Sequence, residues 1–145
     1  MKYPFYEENS DVIQPCEKAC GCITNPATLY CILSQIWCKE TCAPRMQKDW
    51  SVDNKTLGQC SVTAFLAQDI FGGDVYGILL SDGNYHCFNV VGDSVFDLTS
   101  EQFGNQKLNY SAAVKQKRSV HFQSIEKKLR YELLKTKLKG VLTKC

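Results

Sequence analysis

A cysteine, a histidine and an aspartate, in that order along the chain, supply the residue types of a thiol nucleophile, its base and the base's orienter. Cys60 lies in Leu57-Gly58-Gln59-Cys60-Ser61-Val62-Thr63-Ala64-Phe65, which reads as a tight turn followed by a buried helix. Gly58 permits the turn. Cys60 then falls at or near the helix start, where free N–H groups and the helix dipole favour a thiolate. His86 and Asp97 sit in two runs of strand character separated by Gly92-Asp93. With those two residues as the turn, Val91 faces Ser94, Phe88 faces Asp97 and His86 faces Thr99. His86 and Asp97 are then diagonal neighbours on one face. That face also carries Phe88, Val90 and Val95, and it is expected to pack on the helix that starts at Cys60. Cys60 would attack as thiolate, His86 would move the proton, and Asp97 would fix the imidazole tautomer. The backbone N–H of Cys60 would bind the oxyanion, helped by the side-chain amide of Gln59 or Asn54. Singly, each residue has an ordinary explanation as a small buried thiol, a core histidine or a turn aspartate. The shared face gives the combination its force. His121 is a spare base, but its basic surroundings offer no carboxylate orienter.

The elements that must position these residues can be read from patterning. Residues 1–23 look irregular, punctuated by Pro4, Pro15 and Gly21. A helix is expected after Thr24 or Asn25 with Pro26 at its first position, running to Trp37 and burying Leu29, Ile32, Leu33 and Ile36. Residues 43–58 form a loop that Trp50 anchors. The helix of about 60–70 is apolar nearly all round, the mark of a central element. Three strand-like runs follow: Val75–Leu80, Tyr85–Val91 and Ser94–Leu98. Asp82-Gly83 and Gly92-Asp93 are read as two-residue turns between them. Thr99-x2-Gln102 matches a capping box. Val120-His121-Phe122 suggests a further strand, and Ser124 to Lys139 a helix stopped by Gly140. The whole is an α+β protein of one domain over 1–145, with an irregular N-terminal segment (1–23), a core (24–103) and a basic segment (104–145).

The 145 residues are 44% hydrophobic and 22% charged, the balance of a globular domain. No apolar run has membrane-spanning length and the N-terminus is polar, which gives the expectation of a cytoplasmic protein without a membrane partner. Residues 1–103 carry 6 basic and 13 acidic side chains, and residues 104–145 carry 11 and 2. The basic segment lacks interleaved aromatics, so it is read as complementing its own acidic body rather than binding nucleic acid.

Nine cysteines are many for such a chain, and reduced thiols are the expectation without an export signal. A zinc site from Cys16, Cys20, Cys22 and Cys38 or Cys42 has poor spacing, with no CxxC pair. Cys31, Cys38 and Cys42 fall on the helical segment at i, i+7 and i+11, which places them near one face. A disulfide from Cys16 or Cys20 to Cys42 is a further option. The thiol chemistry itself requires no cofactor.

Trp37-x3-Thr41, Trp50, Asn54, Gly58-Gln59-Cys60-x-Val62-Thr63-Ala64, Gln68-Asp69-x-Phe71-Gly72-Gly73, His86, Phe88-Asn89 and Asp97-Leu98-Thr99-x2-Gln102-Phe103 together resemble the YunG-type bacterial proteins over about residues 37–103. More distantly, the Gly-Gln-Cys, His, Asp order is similar to the papain/transglutaminase-like superfamily. Asn54 stands six residues before Cys60, where papain-like enzymes place an oxyanion glutamine. That similarity implies a cysteine-bearing central helix packed on an antiparallel sheet, and thiol acyl-transfer chemistry by analogy. The expected activity is a thiol hydrolase or acyltransferase on an amide, ester or similar acyl bond of a small molecule or peptide. The alternative is a catalytically inactive binding or regulatory module of the same fold.

Overall fold

The computed structural model describes residues 3–17 and 21–145. In chain order the elements are β1 (Tyr6–Glu8), α1 (Pro26–Ile36), α2 (Cys60–Phe71), β2 (Asp74–Leu79), β3 (Tyr85–Val91), β4 (Ser94–Asp97), β5 (Val114–Gln116), α3 (Arg118–His121) and α4 (Ile125–Leu142). The strands form one antiparallel sheet in the order β1-β4-β3-β2-β5. The protein is therefore α+β.

α1 starts as its sequence dictates. Asn25 Oδ1 accepts from the Thr28 N–H at 2.9 Å, Thr28 Oγ1 accepts from the Asn25 N–H at 3.1 Å, and Pro26 takes the first helical position. The helix ends at Ile36, one residue before Trp37. Cys38 and Cys42 therefore lie beyond it, and Cys31 does not share a helical face with them. The loop that follows is anchored as expected: Trp50 Nε1 donates to the Lys55 carbonyl at 2.9 Å.

α2 is the centre of the molecule. Val62, Ala64, Phe65, Leu66, Ala67 and Ile70 are buried in one core with Leu29 and Leu33 of α1, Val75 of β2, Phe96 of β4 and Leu134 and Leu138 of α4. Asn89 of β3 ties the sheet to the helix, its Nδ2 donating to the Ala64 carbonyl at 2.8 Å. Arg118 ties the basic segment to the same helix through Asp69, at 2.6 Å. Lys115 pairs with Asp74 at 3.2 Å. The basic segment thus complements the acidic body at these points.

Four local readings change. The N-terminal segment is not wholly irregular: β1 pairs with β4, and Phe5 and Ile13 enter the core. Three residues are too few to show a period, so only the sheet edge defines this strand. Leu79 pairs with Tyr85, so residues 80–84 form the turn where Asp82-Gly83 alone was expected. Asn84 closes it instead, its carbonyl accepting from the Leu80 N–H at 2.8 Å. Residues Arg118–His121 are a short helix rather than a strand, because Arg118 and His121 both turn inward onto Phe65. α4 continues through Gly140 to Leu142. Its buried neighbour Leu138 holds that turn, and packing outweighs the roughly 1 kcal/mol that glycine costs a helix.

Candidate active site

Gly58 adopts φ +68°, and a Cβ built there would sit 2.5 Å from Cys42 Sγ and 3.0 Å from the Ala43 nitrogen. Only glycine permits both the left-handed backbone and this approach. Its carbonyl accepts from the Ala43 N–H at 2.9 Å, which fixes the turn that delivers Cys60 to the first position of α2. Gly58→Ala is expected to cost roughly 2–4 kcal/mol by denaturant unfolding, the sum of backbone strain and overpacking. A loss under half a kcal/mol would show that the turn is not specified here.

The turn at Gly92-Asp93 sets the second half of the site. Val91 pairs with Ser94, Val90 with Val95 and Asn89 with Phe96, the register read from the sequence. It brings His86 and Asp97 together: Nε2 of His86 lies 2.7 Å from Asp97 Oδ2. Both side chains are buried, at 1% and 0% exposure. Asp97 also accepts from the Tyr110 hydroxyl at 2.7 Å and, through Oδ1, from the Thr99 N–H at 3.3 Å. The acceptor at Nε2 makes that nitrogen the protonated one, leaving Nδ1 for proton exchange. Nδ1 is buried and has no hydrogen-bond partner.

The face assignment is corrected. The side of β3 that packs on α2 carries Cys87 and Asn89, because their small or amide side chains fit against the helix backbone. His86 and Phe88 point to the other side, where Phe103 lies edge-on to His86 at 4.6 Å and Tyr110 edge-on to Phe88 at 5.0 Å. Tyr6 of β1 stacks on Tyr110 at 3.9 Å. Cys60 meets His86 at the end of the strand rather than across its face. Its Sγ lies 3.8 Å from the Tyr85 carbonyl.

The thiol and the imidazole change each other's titration. The neighbouring Cys87, then His86 with its charge, hold the Cys60 thiol well below its ordinary pKa, against the opposing effect of burial. Burial pulls His86 down, but the Asp97 carboxylate beside it and the Cys60 sulfur prevail and raise it to about 10. Both directions favour charge separation, with the sulfur towards thiolate and the ring towards imidazolium.

Tyr110 had no counterpart in the sequence reading. It lies in a 3-10 turn, Tyr110–Ala112, beyond the last legible motif, and no periodicity marks it. Tyr110→Phe removes a hydrogen bond to a buried carboxylate and is expected to cost about 1.5–3 kcal/mol of stability in urea unfolding. An unchanged midpoint would mean that the hydroxyl does not support Asp97.

The two side-chain oxyanion candidates have other surroundings. Gln59 is fully buried and its Nε2 donates to the Cys38 carbonyl at 2.9 Å, so its amide is committed to holding the loop. Asn54 lines a cavity of about 260 Å³ with Tyr30, Ser34, Trp37 and Glu101, whose walls include none of Cys60, His86 and Asp97. The backbone N–H groups of the first turn of α2 remain as donors beside Cys60.

The described N-terminal cysteines are dispersed. Cys16 lies by Gly72 and Cys42 by Gly58, at opposite ends of a 12-residue helix about 18 Å long. Cys22 is bonded to Cys145, which replaces both the all-reduced expectation and a Cys16–Cys42 disulfide. Cys20 lies outside the described residues. Among the described residues, no three His, Cys, Asp or Glu side chains are grouped to hold a metal ion, and no helix is long and apolar enough to cross a membrane.

His121 packs on Phe65 at 4.7 Å, its Nε2 buried without a partner. Burial, then Lys127 and Arg130, push its pKa down to about 4, with Cys60 and Glu126 opposing. Its lowered pKa leaves it neutral at pH 7. Its folded pKa lies below the ordinary 6.5, so its contribution to stability is present above pH 6.5 and lost as pH falls towards 4. His121→Gln should flatten the decline over that window, which reaches roughly 3 kcal/mol if the shift is fully expressed. An identical decline in the variant would assign the acid sensitivity to other groups.

The YunG protein family model matches residues 25–143, and the chain belongs to that family. A Bacillus subtilis (strain 168) protein named "Uncharacterized protein YunG" is 36% identical over 72 residues, covering 50% of this chain and 57% of that protein. The chain thus spans little more than half the length of that relative. No solved structure matches.

Proposed function

We propose that this member of the YunG family is a thiol acyl-transfer enzyme, a hydrolase or acyltransferase, that uses Cys60, His86 and Asp97. The observation that carries the reading is the His86 imidazole: Asp97 holds Nε2 at 2.7 Å, while the buried Nδ1 is left without a partner next to a cysteine at a helix start. His121 also has a buried nitrogen without a partner, but the ring of His86 is in addition held by a buried carboxylate. The cysteine helix lying on an antiparallel sheet supports a papain/transglutaminase-like reading of the fold.

In the proposed reaction the Cys60 thiolate adds to an acyl carbon, and the N–H groups at the start of α2 receive the oxyanion. The carbonyl re-forms as the bond to the leaving group breaks. The leaving amine or alcohol takes the proton from Nδ1 of His86, and a thioester remains on Cys60. Water or an acceptor nucleophile then gives its proton to Nδ1 and attacks the thioester, which regenerates the thiolate and imidazolium. Asp97 keeps the ring oriented throughout, and Tyr110 and the Thr99 N–H hold Asp97 in place.

The test is an activated ester such as p-nitrophenyl acetate. The expected result is a burst of nitrophenolate equal to the enzyme, with acetyl mapped to Cys60 and no burst from Cys60→Ala. Acetylation confined to lysines would contradict the reading. The alternative, an inactive binding module, predicts that outcome.

A further inference from the structure

Cys60 has a second cysteine beside it, and the packing of helix on strand dictates that proximity. Ala64 accepts from Asn89 across the α2–β3 interface. One turn back along α2 from Ala64 is Cys60, about 6 Å along the axis. Two residues back along β3 from Asn89 is Cys87, about 7 Å away on the same face. The two steps run the same way, since Cys60 Sγ reaches the Tyr85 carbonyl, the next residue on that face. The two thiols therefore face each other across the α2–β3 interface, close enough for each to shift the other's titration. Cys87 is 6% exposed and sits in the core, whereas Cys60 is half-buried. Cys60 is thus the more exposed residue of the pair, and Cys87 stands behind it. Cys42 lies under Gly58, on the preceding turn, and is fully buried.

We propose that Cys60 and Cys87 form a reversible disulfide when a hydroperoxide oxidises the nucleophile, switching the site off and protecting it from irreversible damage. The inference rests on the reading of Cys60 as a thiolate nucleophile. The Cys60 thiolate attacks a peroxide oxygen, and the O–O bond breaks. The sulfur is oxidised to sulfenic acid, and the peroxide is reduced to an alcohol or water, which takes a proton from His86. The Cys87 sulfur then attacks the Cys60 sulfur. The S–O bond breaks, hydroxide leaves with the Cys87 proton as water, and the S–S bond forms. Two equivalents of a small thiol reverse the step and become a disulfide themselves.

The experiment uses the full chain, reduced, freed of reductant and treated with hydrogen peroxide, then blocked with an alkylating agent. Cys60 and Cys87 share one tryptic fragment, since no Lys or Arg lies between Lys55 and Lys107. Cleavage at Asp69, Asp74 or Asp82 is needed to separate them before mass spectrometry. The expected result is a Cys60–Cys87 linked pair, with loss of Cys60 alkylation that dithiothreitol restores. In Cys87→Ser, Cys60 should instead proceed to sulfinic acid. Wild-type Cys60 reaching sulfinic acid while Cys87 stays alkylatable would overturn the inference. The same protein without peroxide reports Cys60 alkylation against pH. Low-pH reactivity without the disulfide removes this inference alone. Absence of low-pH reactivity removes the proposed function, and this inference with it.

Discussion

His86→Ala changes the pH dependence of Cys60 alkylation from flat to steep. In the wild type, Cys87 and His86 hold the thiol well below its ordinary pKa, which favours the thiolate. Its rate with iodoacetamide should stay level well below the pH at which a free thiol ionises. Without the imidazolium the sulfur keeps its burial penalty and loses its nearest positive charge. The variant rate should then fall about tenfold for each pH unit below about 8.5, as the thiolate fraction of an ordinary thiol does. The shape of the profile is the reliable readout. A low-pKa thiolate is intrinsically less nucleophilic, and this partly offsets the difference in absolute rate. Parallel profiles in the two proteins would show that His86 does not control Cys60.

Asp97→Ala is expected to be the most destabilising change at the site. The carboxylate is fully buried and accepts from His86, Tyr110 and the Thr99 N–H. Its removal strands an imidazolium and a hydroxyl in the interior, a loss of about 3–5 kcal/mol. Asp97→Asn keeps the shape and loses the charge, and so separates packing from electrostatics. His86 has its pKa raised to about 10 by Asp97 and Cys60, against an unfolded value near 6.5. The stabilisation it contributes is full below pH 6.5 and is lost as pH rises through about 10. The stability gap between wild type and Asp97→Asn should therefore be widest below pH 6.5 and narrow towards pH 10, measured by urea unfolding across that range. A gap independent of pH would mean that Asp97 acts by packing alone.

The parts of this site written in local chemistry were legible. Gly92-Asp93 is a two-residue turn, and a turn fixes the register of both strands, so the His86–Asp97 diagonal followed from one dipeptide. Gly58 and the apolar run after Cys60 placed the cysteine at a helix start for equally local reasons. The motifs that resemble YunG-type proteins spanned residues 37–103, and the family match extends over 25–143. What failed was whatever depended on the third dimension. Alternation shows two faces of β3 but not which one meets α2. The apolar Phe88–Val90 side was assigned to the helix, yet aromatic residues from β1 and from the segment around Tyr110 cover it. Asn89 was the missed clue, since an amide on a central strand needs a partner such as the Ala64 carbonyl. The same reassignment puts Cys87 beside Cys60. β1 and β5 are three residues each and exist because a sheet edge accepts them. Gln59 and Asn54 were chosen by distance along the chain, and the turn at Gly58 sends the Gln59 amide into the body. The Cys22–Cys145 disulfide joins residues that no sequence spacing relates.

The central claim is that Cys60 and His86 form a thiolate–imidazolium pair held by Asp97. The most direct measurement is nitrogen NMR of imidazole-labelled protein across pH, in wild type and Cys60→Ala. The account predicts that His86 carries protons on both Nδ1 and Nε2 at pH 7 and loses one only as pH approaches about 10. It also predicts that the transition moves to lower pH when the Cys60 sulfur is removed. A His86 ring that is neutral at pH 7, or one whose titration is the same with and without the sulfur, would contradict it.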